Sequence, residues 1–169
     1  MKAIKKILFP TDFSETANNA FEYALAFANN NEAELKVLNV IFPEYETLDL
    51  PVMAAQATKQ KVEQAEEQLK DFIKIAYTLF DDKVENIRIN GIKPDVEIGS
   101  PASTITEIAR LDEVDLIIMG TKGVSNLFEK VFGSVASSVL SKAPCHVMVV
   151  PSEFPMTIQN VAYATDLSA

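Results

Sequence analysis

The sequence predicts a single α/β domain, a doubly wound, Rossmann-like parallel sheet of five strands in the order 3-2-1-4-5 with helices on both faces. Two observations predict it. Short apolar runs alternate along the chain with longer amphipathic stretches, as in strand–helix–strand units. The 169 residues are 48% apolar, enough for one full hydrophobic core. Right-handed crossovers between five such strands favour a doubly wound sheet.

The first half of the chain gives the clearer elements. Ile4–Pro10 is a short apolar run that predicts the first strand. Ser14 is placed to cap a helix whose small and apolar residues recur at helical spacing. Glu34–Ile41 predicts the second strand, and a long polar helix with an apolar stripe follows at about Ala54–Phe80.

The first predicted strand in the second half of the chain has a less regular pattern than the earlier strands. Val84–Ile98 contains an Asn-Gly pair and a proline, which predicts a broken or edge-like third strand. Ser100 as cap and Pro101 at the first helical position then predict a helix start. A fourth strand, a short helix and a fifth strand are expected at Asp115–Gly120, Gly133–Lys142 and Cys145–Pro151.

Composition excludes several classes of function. The formal net charge of −9 argues against a general nucleic-acid surface and against an anionic membrane surface. No apolar run approaches a membrane span, and a single cysteine suits a reducing compartment, so a cytoplasmic protein is expected. One histidine, His146, and one cysteine, Cys145, make no zinc site, and no P-loop is present.

The stretch "GTKGVSNLFEKVFGSVASSVL" contains three of the five glycines. Gly120 ends a predicted strand, Gly123 lies in a predicted turn, and Gly133 and Ser134 begin a predicted helix. Free N–H groups at a helix start attract anions, the Ser134 hydroxyl can donate to a phosphate, and Lys122 adds charge. These parts indicate a phosphate cradle. The alternative is an ordinary loop followed by a helix cap.

The predicted sheet brings a second loop to the same place. In doubly wound sheets, ligands bind beyond the carboxyl ends of the strands, where the strand order reverses. In the order 3-2-1-4-5 that point lies between strands 1 and 4. The loop "PTD", with Asp12, follows strand 1, and "GTKG" follows strand 4. The two loops are therefore expected to flank one crevice.

At these residues the chain resembles the universal stress proteins. The ATP-binding branch of this family carries the signature G-x2-G-x9-G-[ST]. In this chain the signature is satisfied by Gly120, Gly123, Gly133 and Ser134. The resemblance extends over Lys2–Pro151 and includes "ILFPTDFSE", "VLNVI", "DLIIMGTKG" and "APCHVMVVP" in the family's order. It implies a doubly wound fold that binds ATP, or AMP or ADP, and leaves open a Mg²⁺ or Mn²⁺ ion beside the phosphates.

The resemblance also implies roles around the nucleoside. Asp12 matches the acid that contacts the ribose hydroxyls, and a carboxylate can accept both of their protons. Pro10 and Thr11 match backbone neighbours of the adenosine, and Val40 matches the residue whose backbone recognises adenine. Two alternatives stay open: Asp12 as a helix-start acid with Glu15 as its capping partner, and Val40 as plain core.

The remaining implied residues lie along the path of the ribose and phosphates. Met119, Gly120 and Gly123 would line that path, and Gly133, Ser134 and Val135 would bind phosphates. The role of Lys122 is weaker, because family members vary at this position.

The carboxyl-terminal tail resembles the start of the chain. Ile158, Thr165, Asp166 and Ser168 match, at a constant offset of 154, Ile4, Thr11, Asp12 and Ser14. We expect a domain at 1–151, a linker at 152–157, and at 158–169 the first strand of a truncated second copy. Tandem copies are known in the family.

The expected function is that of a regulatory module in which bound adenine nucleotide biases a conformation or a partner. The alternatives are a weak ATPase or nucleotidyl-transfer enzyme, and a structural stress protein whose pocket stays empty. Family members commonly dimerise through the fifth strand, so a homodimer through His146–Val150 is expected, with a second identical chain in place of the second copy.

Overall fold

The computed structural model describes residues 3–43, 51–121 and 133–151, with side chains in the second helix from residue 55 onward. Lys122, Gly123, the expected linker 152–157 and the expected second-copy segment 158–169 lie outside these residues.

Nine elements within the described ranges alternate between strand and helix, as the sequence predicts. They are β1 (Lys6–Pro10), α1 (Glu15–Asn31), β2 (Glu34–Ile41), α2 (Pro51–Asp81), β3 (Ile92–Ile98), α3 (Pro101–Leu111), β4 (Leu116–Gly120), α4 (Ser134–Lys142) and β5 (His146–Val150). The strands form one parallel sheet in the order β3-β2-β1-β4-β5. The predicted doubly wound fold is confirmed.

Hydrophobic side chains fill both faces of the sheet. Ile7 and Phe9 of β1 pack with α1 and α2, where Phe21 and Leu69 are fully buried. Leu8 of β1 points to the opposite face and packs with α3 and α4. Successive β1 residues thus enter two separate cores, as expected for a strand covered on both faces.

The third strand takes one of its two predicted forms. It is an edge strand and is not broken, since its pairing with β2 runs without interruption from Ile92 to Ile98. Gly91 accepts a hydrogen bond from Leu35 and Gly99 donates one to Ile41, so the odd-numbered residues of β3 face β2. Pro94 therefore lies at an outward position, where its missing N–H interrupts no pairing with β2.

The two predicted helix caps behave differently. Ser14 is the N-cap of α1, and its hydroxyl accepts a hydrogen bond from the Ala17 N–H at 3.3 Å. Ser100 stands at the N-cap of α3, but its side chain makes no capping hydrogen bond. The start of α3 depends instead on Pro101, whose fixed φ suits the first helical turn.

Candidate functional site

A crevice of about 230 Å³ opens at the carboxyl ends of β1, β2 and β4, beside the amino end of α4. Nine of the residues expected from the sequence line it: Pro10, Thr11, Asp12, Val40, Met119, Gly120, Gly133, Ser134 and Val135. The other two, Lys122 and Gly123, lie outside the described residues. Four separate stretches of the sequence thus meet at the point where the strand order reverses.

The loop after β1 is held by buried hydrogen bonds. The Thr11 N–H donates to the Leu38 carbonyl at 2.8 Å, and the Thr11 carbonyl accepts from the Asn39 side chain at 2.8 Å. The Thr11 hydroxyl oxygen accepts from the Phe13 N–H at 3.0 Å. Phe13 has a φ of 60°, an uncommon conformation for a residue with a side chain. These bonds hold the loop in a conformation that it would rarely adopt alone.

Asp12 lies at the exposed rim of the crevice, directly before α1. Its Oδ1 accepts a hydrogen bond from the Ser14 N–H at 3.1 Å, which orients the carboxylate. The acid therefore supports the helix start through Ser14, which is the N-cap of α1. Among the crevice-lining residues in the described ranges, Asp12 carries the one charged side chain.

Val40 presents backbone groups to the crevice. The Leu38 carbonyl, two residues earlier, accepts a hydrogen bond from the Thr11 N–H on the β1 side of the strand. The Ile41 carbonyl accepts one from the Gly99 N–H on the β3 side. Because the direction of the peptide groups alternates along a strand, the N–H and C=O of Val40 point to the β1 side. There β1 has already ended at Pro10. The strand edge thus offers one donor and one acceptor beyond the last paired residue.

Gly120 is required for close packing. A Cβ at this position would lie 3.0 Å from the Thr16 methyl carbon and 3.1 Å from the Thr16 carbonyl oxygen. Glycine therefore lets the end of β4 approach the first turn of α1. This packing places Gly120 in the wall of the crevice.

The amino end of α4 forms one wall of the crevice. The Gly133 N–H already donates to the Thr121 carbonyl at 2.8 Å, which joins the two described ends of the chain on either side of residues 122–132. Gly133 is the N-cap and has no side chain to satisfy the first turn. The N–H groups of Ser134, Val135 and Ala136 have no acceptor within the helix. The positive end of α4 therefore faces the crevice.

Apolar side chains complete the crevice opposite α4. Leu38, Pro101 and Ile105 line it, together with Val40. Sequence reasoning did not select the first three, because a leucine in a strand or an isoleucine in an amphipathic helix gives no signal beyond core. Asn39 was also missed, although one buried amide in the apolar strand "ELKVLNVI" was a usable signal.

The other candidates contribute no constellation of reactive groups. Burial raises the pKa of the Cys145 thiol, which keeps it protonated at neutral pH. His146 begins β5 and is exposed, although the residues that follow it are apolar. In the described parts of the chain, no three His, Cys, Asp or Glu side chains are grouped to hold a metal ion. None of the described helices is both long and apolar enough to cross a membrane.

Comparison with known proteins identifies relatives over the whole domain. The model of the universal stress protein family matches residues 3–151. A protein of Staphylococcus aureus (strain USA300), named as a universal stress protein, is 33% identical over 173 residues, which cover 99% of this chain and 96% of the relative.

Solved structures show the same architecture. Universal stress protein UspA from Lactobacillus plantarum has a TM-score of 0.75 at 26% identity, over 89% of this chain and 99% of that one. Hypothetical protein MJ0577, solved to assign its biochemical function, has a TM-score of 0.75 at 31% identity, over 91% of this chain and all of that one.

Two more distant structures share the fold and contain adenine nucleotides. A universal stress protein in complex with cAMP has a TM-score of 0.62 at 18% identity, over 90% of this chain and all of that one. A universal stress protein from Archaeoglobus fulgidus in complex with dAMP has a TM-score of 0.58 at 18% identity, over 88% of this chain and 98% of that one.

Proposed function

Because the chain belongs to the universal stress protein family, we propose that its crevice binds an adenine nucleotide, with ATP as the ligand, and that occupancy regulates a conformation or a partner. The observation that carries the proposal is the meeting of nine sequence-predicted residues around one crevice of about 230 Å³. Distant relatives of the same fold were solved with cAMP and with dAMP, which supports an adenine nucleotide as the class of ligand.

The crevice has complementary chemistry along its length. The apolar walls formed by Leu38, Pro101 and Ile105 suit the faces of a purine base. Adenine presents a donor and an adjacent acceptor at its edge, and the N–H and C=O of Val40 offer the matching pair. Asp12, at the rim, is placed to accept hydrogen bonds from ribose hydroxyls.

The phosphate end depends on α4. The N–H groups of Ser134 and Val135 and the Ser134 hydroxyl can donate to phosphate oxygens, and the helix dipole adds a favourable potential. The amide of Gly133 is engaged with Thr121, so this glycine contributes open space and not a donor. Lys122 is proposed to add positive charge, and Gly123 to let the phosphates approach the backbone. A Mg²⁺ or Mn²⁺ ion would be held mainly by the phosphates.

A regulatory role is favoured over catalysis by the character of the crevice. Asp12 is the single ionisable side chain among the lining residues that the structure describes, and it is oriented by Ser14. Hydrolysis needs a group that positions or deprotonates water. Slow ATP hydrolysis remains the second candidate function.

Purified protein provides a direct test. The protein is denatured and the released small molecules are identified by mass spectrometry, beside a calorimetric titration of emptied protein with ATP. Released ATP, ADP or AMP and saturable binding are expected. Protein that releases no nucleotide and shows no heat of binding would contradict the proposal and favour a structural role.

Three further proposals concern the chain as a whole. We propose a homodimer formed through the outer edge of β5, which lies at the end of the sheet opposite β3. We also propose that 158–169 begins a second copy of the domain, because its residues match the first strand and loop in register. A cytoplasmic location is proposed on composition. A parent sequence without a second copy would contradict the tandem proposal.

A further inference from the structure

A groove between α2 and the edge of β3 shares no lining residue with the nucleotide crevice. It has a volume of about 450 Å³, and we call it the α2–β3 groove. Its walls are Lys70, Ile73, Lys74 and Tyr77 from α2, and Ile92 and Pro94 from β3. It lies on the sheet face that carries α1 and α2.

The floor of the groove is apolar and half-buried. Ile73, Tyr77 and Ile92 pack against the core on one side and line the groove on the other. Such a floor favours the burial of an apolar side chain from outside, since transfer of apolar surface out of water is favourable.

Two lysines are the charged residues among those that line the groove. Lys70 and Lys74 are exposed and lie one helical turn apart. Neither ammonium makes an ion pair within the described part of the chain, whereas Lys36 and Lys93 on the strands both do. Glu66 and Asp71 lie one helical turn before Lys70 and Lys74, respectively, and reduce the repulsion between the two lysines, but neither acid lines the groove. Carboxylates of a bound partner would supply the ion pairs that the two ammonium groups lack.

The edge of β3 defines the form of the partner segment. The backbone groups of Ile92, Pro94 and Val96 point away from β2, so the N–H and C=O of Ile92 and the C=O of Pro94 are directed outward. An extended chain can pair with them. Pro94 lacks an N–H and prevents a continuous ladder, which disfavours zipping of two identical edges.

We propose that the α2–β3 groove binds an extended acidic segment of a partner protein, in which carboxylates meet Lys70 and Lys74 and an apolar side chain enters the floor. From Lys70 to Thr78 the helix rises about 12 Å, which corresponds to about four residues of extended chain. The net charge of −9 repels an acidic partner at long range. Salt screens charges more than about 8 Å away, so a segment inside the groove experiences mainly local charges, and the charged residues of the groove lining are Lys70 and Lys74.

The probe for the test is a fluorescein-labelled octapeptide in which glutamate and leucine alternate, titrated with the full chain by fluorescence anisotropy. Saturable binding is expected, and it should weaken at least tenfold when the salt concentration rises from 50 to 300 mM. The double variant Lys70→Gln/Lys74→Gln should also weaken binding at least tenfold. The matched control Lys59→Gln/Lys61→Gln removes the same charge from the same helix outside the groove and should leave binding unchanged.

Several results would overturn the proposal. One is the absence of saturable binding at 1 mM peptide. Another is a loss of affinity in the control variant equal to that in Lys70→Gln/Lys74→Gln. A third is binding of an octapeptide that alternates lysine and leucine with the same affinity as the acidic octapeptide. Competition by inorganic phosphate alone would assign the lysines to a small anion. Loss of self-association in Lys70→Gln/Lys74→Gln would assign the groove to a second copy. ATP titration of the same variants should be unchanged, so failure here is distinguishable from failure of the proposed nucleotide site.

Discussion

At the scale of single residues, Asp12 combines a structural and a proposed binding role. Its Oδ1 accepts from the Ser14 N–H at 3.1 Å, and its carboxylate lies at the rim of the crevice. Asparagine retains an oxygen acceptor for Ser14 but loses the charge, whereas alanine loses both. The two substitutions therefore separate support of the helix start from recognition of ribose.

We expect Asp12→Asn to weaken ATP binding by about tenfold or more while the free energy of unfolding changes little, because a charge-assisted hydrogen bond contributes about 1.5–3 kcal/mol. Asp12→Ala should lose similar affinity and, in addition, some stability. Calorimetric titration and thermal unfolding measure both quantities. Equal wild-type affinity for ATP and its 2′,3′-dideoxy analogue would show that the acid supports only the helix start.

Lys36 is a second residue whose acidic partners affect its pKa. Its ammonium lies 3.2 Å from Asp95 of β3 and 2.6 Å from Asp112 at the end of α3. Burial lowers the pKa of Lys36, but hydrogen bonds and charge attraction from Asp112 and Asp95 outweigh burial, so its pKa is raised above the ordinary value. The charged form thus stabilises the fold.

Lys36→Met should lower the free energy of unfolding by about 1 kcal/mol at neutral pH. Since the folded pKa is raised, the difference from wild type should persist up to the ordinary lysine pKa of 10.5 and shrink as pH rises through the folded value. Lys93→Met removes the exposed pair with Glu34 and serves as the control, with a smaller effect expected. A Lys36→Met difference that disappears below pH 9 would contradict this account.

At the scale of elements, two glycines of the signature act differently. Gly120 lets β4 contact the first turn of α1, where the nearest atoms belong to Thr16 and include its backbone carbonyl. Gly133 is the N-cap of α4 with a φ of −58°, a conformation that any residue adopts. The first glycine is thus a packing requirement, and the second is proposed to leave space for phosphates.

Gly120→Ala should lower the free energy of unfolding by about 1–3 kcal/mol, because the new methyl group overpacks the β4–α1 contact. Addition of Thr16→Ser removes the nearby methyl group but leaves the carbonyl oxygen 3.1 Å away, so it should restore little stability. Denaturant unfolding of the single and double variants gives the comparison. Full rescue by Thr16→Ser would show that the backbone contact is harmless.

Gly133→Val should abolish ATP binding without loss of secondary structure, since its backbone conformation tolerates a side chain whereas the phosphate space does not. Ser137→Val, one turn further along α4 and outside the crevice lining, is the control and should retain affinity. Calorimetry and circular dichroism measure the two properties. Unchanged affinity in Gly133→Val would refute the placement of phosphates at this helix.

At the scale of the whole molecule, the two edges of the sheet are not equivalent. The Val150 carbonyl accepts from the Thr121 N–H on the β4 side, so Val147 and Val149 of β5 direct their backbone groups outward. On β3, an outward position is occupied by Pro94. The edge of β5 from His146 to Val150 contains no proline, and this difference supports β5 as the pairing edge of the proposed homodimer.

Val149→Pro should convert the proposed dimer to a monomer while the domain stays folded, because it removes an N–H that points away from β4. Val149→Thr retains the N–H and should remain dimeric. Light scattering at micromolar concentration reports the mass, and circular dichroism reports the fold. A dimer that persists in Val149→Pro, or a wild-type monomer, would overturn assembly through this edge.

The sequence by itself determined the succession of strands and helices, because apolar periodicity depends on nearby residues alone. General rules for doubly wound sheets supplied the expected strand order, and the resemblance of the loop motifs to a known family supplied nine of the residues that line the crevice. The close approach of Thr16 to Gly120, the engagement of the Gly133 amide by Thr121, and the Asn39 support of the Thr11 carbonyl were decided only by the tertiary structure. So was the unbroken path of β3, since the harm done by a proline depends on which side of the strand has a partner. Each of these features joins residues that are distant in the chain, and no local pattern records such a distance.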